Sequence, residues 1–132
     1  MKGILAVNNL GIIGKGDSIP WRCNEDLKHF KEMTMGCNCL VGRKTYESLP
    51  PLKGRNLIIV GKGYFTNIEE AINSVDKIDW VIGGKSIYEQ TCHLWDELHL
   101  SAINDNTEGD VDLPDLRNFT GETFYYVFDP NK

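Results

Sequence analysis

Short apolar runs alternate along the chain with segments of helical character. Residues 2–7 (KGILAV), 37–42 (CNCLVG), 55–61 (RNLIIVG), 80–84 (WVIGG), 97–103 (ELHLSAI) and 123–128 (TFYYVF) are compact apolar runs of strand type. Four helical segments separate the first five of them: residues 24–35, RKTYESL from Arg43, NIEEAINSV from Asn67 and KSIYEQTC from Lys85. Asn67 is a good cap, with Glu70 in the reciprocal position. Strands that alternate with helices predict an α/β fold whose central twisted sheet is mostly parallel and covered by about four helices. The last two runs have no helix between them, so an antiparallel pair is expected at the C-terminal edge, joined by the acidic connection over residues 104–119. No repeat or linker divides the pattern, which predicts one domain over residues 1–132.

One residue breaks the pattern. In the first helical segment Asp26, Phe30 and Met33 are spaced by four and three, which sets a carboxylate on an apolar stripe. The bland explanation is that acids favour a first helical turn, with Asn24 as the cap. The other is a buried acid with a chemical task.

Residues 8–21 form a polar, Gly-rich connection that is long for its setting, as lids and binding segments often are. A length of 132 residues with 41% apolar content suits a single globular core. No apolar run approaches the length that crosses a bilayer, and MKGILAVNN turns polar too soon for a secretory signal, so a cytoplasmic protein with no membrane partner is expected. A formal charge of -5 argues against general nucleic-acid binding and makes any anion site local. Cys23, Cys37, Cys39 and Cys92 lack paired metal spacings and read as buried free thiols; His29, His93 and His99 are scattered, and no metal is expected.

Three strand ends share a composition: Gly42-Arg43-Lys44-Thr45, Gly61-Lys62-Gly63 and Gly83-Gly84-Lys85-Ser86. Glycine lets backbone amides approach a ligand, and nearby Arg, Lys, Ser or Thr adds donors, the combination phosphates need. Together they suggest a ligand with several phosphates. GGKS is not a nucleoside-triphosphate loop, because Asp79 stands where that motif requires glycine, and no GxGxxG fingerprint is present.

With these motifs assembled, the chain resembles the dihydrofolate reductase family, as a short member, nearly end to end. The resemblance rests on Ala6-Val7 in the first strand; Ile13, Gly14, Pro20 and Trp21 in the lid; and Glu25-Asp26-Leu27 with Phe30 and Lys31. It continues through Gly42, Arg43, Thr45, Glu47 and Ser48; Pro51, Leu52, Gly54 and Arg55; VIGGKSIYEQ over residues 81–90; and residues 108–115.

The resemblance implies reduction of dihydrofolate to tetrahydrofolate, with hydride passing from NADPH to pterin C6 and a proton to N5. It implies that Asp26 pairs with the pterin's pyrimidine edge, with a pKa raised by desolvation. Ser101 stands where the family usually has a Thr bonded to that acid, and Trp21 and Tyr88 complete the catalytic set. Ala6, Ile19, Leu27, Phe30, Leu49, Leu52 and Ile82 would line the substrate, and Arg55 would hold its glutamate carboxylate as a fork. Arg43 and Lys62 would grip the cofactor's 2'-phosphate. Thr45 and the amides of residues 84–87 (Gly84, Lys85, Ser86, Ile87) would take the pyrophosphate, with Gly42, Lys44, Gly61 and Gly83 at the same corners and Ala6, Ile13 and Gly14 beside the nicotinamide. The Gly83–Gly84 peptide is cis in the family. A monomer is expected.

The chain departs from the pattern in four places. Residues 63–80 are shorter than in familiar members, which trims the lobe around adenosine; Lys62 replaces a small hydroxyl residue; Pro50-Pro51 shortens the segment before Leu52; and Lys85 replaces a third glycine. Two other readings stay open: a catalytically quiet folate or NADP binding module, and a related pterin or flavin-pathway reductase.

Overall fold

The computed structural model describes residues 1–16 and 19–131. The strand pleat sends alternate residues to opposite faces and so sorts them into two cores. In β1 (Lys2–Asn8) Leu5 joins one core and Ile4 the other; β3 (Asn38–Gly42) divides Leu40 from Cys39 and Val41; and β4 (Asn56–Val60) divides Ile58 from Leu57 and Ile59. Helix α1 (Asn24–Thr34) covers the Ile4 face with Phe30 and Met33, aided by Tyr46 of α2 (Arg43–Ser48). The Leu5 face is covered by Ala71 and its neighbours in α3 (Ile68–Asn73) and by Ile87 and Tyr88 of α4 (Lys85–Thr91). Strand β5 (Trp80–Val81) lies deep in the sheet, with Trp80 and Val81 on opposite faces.

The main sheet has the order β4-β3-β5-β1-β6-β8, where β6 is Glu97–Ile103 and β8 is Glu122–Phe128. All its pairings are parallel. The turns that follow β3, β4 and β5 therefore gather at one edge, where ligands of open α/β sheets sit. A second, two-stranded ribbon pairs β2 (Ile12–Gly14) antiparallel with β7 (Val111–Asp112). The connection over residues 8–21 thus contains a strand and is tethered to residues 104–119; Asp17 and Ser18 within it lie outside the described residues.

The expected antiparallel C-terminal edge is corrected: β8 runs parallel to β6, with Glu97 opposite Glu122 and Ile103 opposite Phe128. A run of β-formers identifies a strand but carries no direction. The connection is long enough to return the chain to the start of β6 before β8 begins, as parallel pairing requires. Leu116 and Phe119 pack on the core along the way, and the Glu122 amide donates to the Asp96 carbonyl at 3.0 Å. Two smaller expectations also change. Cys23, not Asn24, occupies the cap position of α1, and the side-chain Oδ1 of Asn24 accepts from Arg22 Nε at 3.4 Å. The strand expected over residues 80–84 is regular only at Trp80–Val81, although backbone bonds to β3 continue beyond it, from the Ile82 amide to the Leu40 carbonyl and from the Gly42 amide to the Gly83 carbonyl. The Asn67 cap is present, accepting from the Glu70 amide at 2.9 Å, while the Glu70 carboxylate bonds Thr66 rather than closing the box.

No helix among the described residues is long and apolar enough to cross a membrane. The four thiols are free; Cys23, Cys39 and Cys92 are buried, and burial pushes Cys39 up to about 12.

Gly121 makes the parallel docking of β8 testable, because a Cβ there would lie 2.1 Å from the Asp96 carbonyl oxygen, a backbone atom that cannot swing aside. Gly121→Ala is expected to cost about 1–3 kcal/mol, as overpacking does. Urea unfolding reads this directly; an unchanged midpoint would show that β8 does not enter beside Asp96.

Candidate active site

Three strands place a row of residues in register beneath α1: Ala6 of β1 opposite Ser101 of β6, and Ser101 opposite Tyr126 of β8. Ser101 is 1% exposed, and its side chain hydrogen-bonds Asp26 in the first turn of the helix. Burial raises the Asp26 pKa; the Ser101 hydrogen bond and the nearby His29 pull it partly back. The helix-start preference for acids places a carboxylate here, but it does not account for a half-buried one bonded to a strand hydroxyl.

Around this acid the apolar residues divide into two sets. Phe30, Leu49 and Leu52 pack beside the buried Ile82 and Ile4, so one wall is solid. Leu27 and Ile19 are 49% and 50% exposed, large apolar groups left in solvent. Trp21 is half-buried. A groove of about 440 Å³ runs past Leu49, Leu52 and Leu57 with Pro50 and Pro51; Asp26 and the glycine corners lie outside its lining. Arg55 has Nε and Nη1 buried with no hydrogen-bond partner, a costly arrangement for a cation that an incoming carboxylate would relieve.

The glycine corners converge. The Gly42 amide donates to the Gly83 carbonyl at 2.8 Å, and a Cβ on Gly84 would stand 2.8 Å from Thr45 Oγ1. Gly61, at φ 146°, leaves only 2.6 Å between such a Cβ and that of Arg43. The Gly83–Gly84 peptide is cis, as the resemblance implied. At both corners the missing side chain lets Thr45 and Arg43 close up against backbone, which brings their donors beside backbone amides as a phosphate cradle needs. Arg43 pairs with Glu47 at 3.3 Å, and Lys44 and Lys62 are exposed. Ile87 packs against Gly42 from the core side, and Ser86 accepts from Gln90.

A dihydrofolate reductase family model matches residues 1–127. The chain belongs to the dihydrofolate reductase family. It is 39% identical over 130 residues to dihydrofolate reductase type 9 of Escherichia coli, covering 83% of this chain and 73% of that one. It is 34% identical over 135 residues to the dihydrofolate reductase of Mycoplasma genitalium, covering 88% and 84%. Among solved structures it is similar to a dihydrofolate reductase from Enterococcus faecalis complexed with NADP(H) and RAB-propyl, with a TM-score of 0.75, 30% identity and coverage of 88% and 77%.

Tyr88, the other residue the resemblance put in the catalytic set, is buried in the Leu5 core and its hydroxyl donates to the Ile4 carbonyl at 2.7 Å. Burial raises its pKa, so at neutral pH it is a fixed, protonated phenol. Sequence reasoning missed several groups around the site. Asn8 ends β1 and accepts from the Leu10 and Ile12 amides while donating to Asp105 and the Thr107 carbonyl, which fastens the base of the lid. Asp112 of β7 pairs with Lys85 at the start of α4 and so joins the lid ribbon to a glycine corner. His29 and His99, far apart in sequence, both reach Tyr126. Only the polarity of Asn8 at a strand end could have signalled any of these. Among the described residues no group of three or more His, Cys, Asp or Glu is placed to hold a metal.

Because the folded pKa of Asp26 is raised above the unfolded value of 3.8, its contribution to stability is greatest below that value and is lost as pH rises through the folded pKa. Above that window the ionised carboxylate is a cost to the fold. Asp26→Asn is therefore expected to raise the thermal midpoint at pH 7 and to flatten its decline between acid and neutral pH; a lower midpoint at pH 7 would contradict the burial of this acid.

Proposed function

We propose that the chain, acting as a single cytoplasmic domain and as a monomer, is an NADPH-dependent dihydrofolate reductase. The observation that carries this reading is the half-buried Asp26 carboxyl, held by Ser101 beside an apolar wall. Pterins present two adjacent N–H donors on the pyrimidine edge, and a carboxylate in a partly desolvated site accepts from such a pair bidentately. Bound so, it anchors the ring and favours its protonated forms. Ile19 and Leu27 offer the solvent-exposed apolar surface that a flat ring would cover, against Phe30, Leu49, Leu52 and Ile82 on the other side.

The cofactor fits the residues at the glycine corners. NADPH, when bound, supplies the hydride that reaches pterin C6. Thr45, Gly42 and the backbone of Gly83, Gly84, Lys85, Ser86 and Ile87 take its pyrophosphate, the missing side chain at Gly84 letting Thr45 close up there. Arg43, Lys44 and Lys62, around Gly61, take the 2'-phosphate. Ala6, Ile13, Gly14 and Trp21 enclose the nicotinamide side. Arg55 pairs its orphaned Nε and Nη1 with the substrate's glutamate carboxylate, which matches a folate better than a bare pterin. N5 takes its proton from water admitted by the lid, while Asp26 stabilises the protonated ring. The net charge of -5 favours no nucleic-acid partner.

Purified protein mixed with NADPH and dihydrofolate should consume nicotinamide absorbance, and Asp26→Asn should reduce that rate by about 10²–10⁴-fold, the usual worth of a positioned acid. Binding of both ligands without turnover, or an undiminished rate in the variant, would refute this reading.

A further inference from the structure

His29 follows Asp26 by three residues on α1, which puts both side chains on the face turned toward the sheet. Its ring lies 4.2 Å from that of Tyr126 and 5.6 Å from that of Phe128, centroid to centroid, so it rests on the last strand. Its Nε2 is buried with no hydrogen-bond partner. Tyr126 stands in register with Ser101, the residue that bonds Asp26. An imidazole is a costly choice where a hydrocarbon ring would pack as well, and it lies within electrostatic reach of the acid on which the proposed reaction depends.

We propose that His29 is a positioning residue for Asp26: seated on Tyr126 and Phe128, it sets the charge beside the half-buried carboxyl and thereby shapes the acid side of the enzyme's pH profile. The proposal rests on the reductase reading for its consequence in turnover, but the coupling of the two side chains stands without it. Burial lowers the pKa of His29, while Asp26 and Glu32 raise it and His99 lowers it. Glu32 is exposed and pairs with Lys28 at 3.9 Å, which weakens its influence. From β6, His99 is engaged on both ring nitrogens, by the Tyr126 hydroxyl at 2.9 Å and by Glu97 at 2.8 Å. From β8, Tyr126 has its hydroxyl turned to His99. At neutral pH His29 is uncharged and adds no positive charge beside Asp26. As pH falls below the ordinary histidine range, the imidazolium forms and draws Asp26 toward its ionised state, the form that holds the protonated ring.

Two measurements test this. The rate of NADPH oxidation with dihydrofolate is followed from acid to neutral pH in the wild type, in His29→Phe, which keeps the ring contact, and in His29→Gln, which keeps polarity without charge. Both variants should fall below the wild type on the acid side by about threefold, the effect of half a pKa unit, relative to their rates at neutral pH. Profiles of unchanged shape, including a uniform loss at every pH, would reduce His29 to packing and overturn the proposal. Independently of turnover, the His29 ring is titrated by NMR in the wild type and in Asp26→Asn. Its midpoint should move down when the carboxylate is removed, and coincident midpoints would overturn the coupling. A chain that turns over no dihydrofolate but shows the shifted midpoint would sink the reductase reading and leave the Asp26–His29 pair standing.

Discussion

A half-buried carboxyl group, partly withdrawn from water, is the constraint on which the rest of the site depends. Burial makes the charged form of Asp26 expensive, and the Ser101 hydrogen bond offsets only part of that cost. A fold tolerates such a group when something repays it, and a ligand carrying paired N–H donors is a partner of the right chemistry. Arg55 repeats the theme with opposite sign, since its buried guanidinium nitrogens lack partners in the free protein. The two groups are unsatisfied in complementary ways, one ready for donors and one for a carboxylate, and a molecule bearing a pyrimidine edge at one end and a carboxylate at the other answers both.

The sheet makes this possible. Because every pairing in it is parallel, the turns after β3, β4 and β5 open on the same edge, and Gly42, Gly61 and the Gly83–Gly84 pair meet Thr45 and Arg43 there. Parallel entry of β8 has a further effect, for it brings Tyr126 opposite Ser101 and under His29. The C-terminal strand therefore supports the acid's surroundings as well as closing the sheet. Across the site, Asn8 and the Lys85–Asp112 pair fasten the lid ribbon to the sheet and to a glycine corner.

Much of this was legible in the residues themselves. Compact apolar runs identified the strands, Asn67 marked the start of α3, and the misfit of Asp26 on an apolar stripe pointed to an acid with a task. What could not be read was determined by contacts between distant parts of the chain. TFYYVF announces a strand, but its direction depended on where a long connection could return, and it returned to the start of β6. His29 and His99 looked scattered because only the sheet register brings them to one tyrosine. Asn24 is a good cap by type, yet its side chain turned to Arg22 and left the cap position to Cys23.

The most direct test is a carboxyl-carbon NMR titration of Asp26 in the free protein. A midpoint clearly above the ordinary aspartate value of 3.8 is the result expected of a half-buried acid held by Ser101. A midpoint at or below that value would mean that water reaches the carboxylate freely, and the account of the site built on it would be wrong.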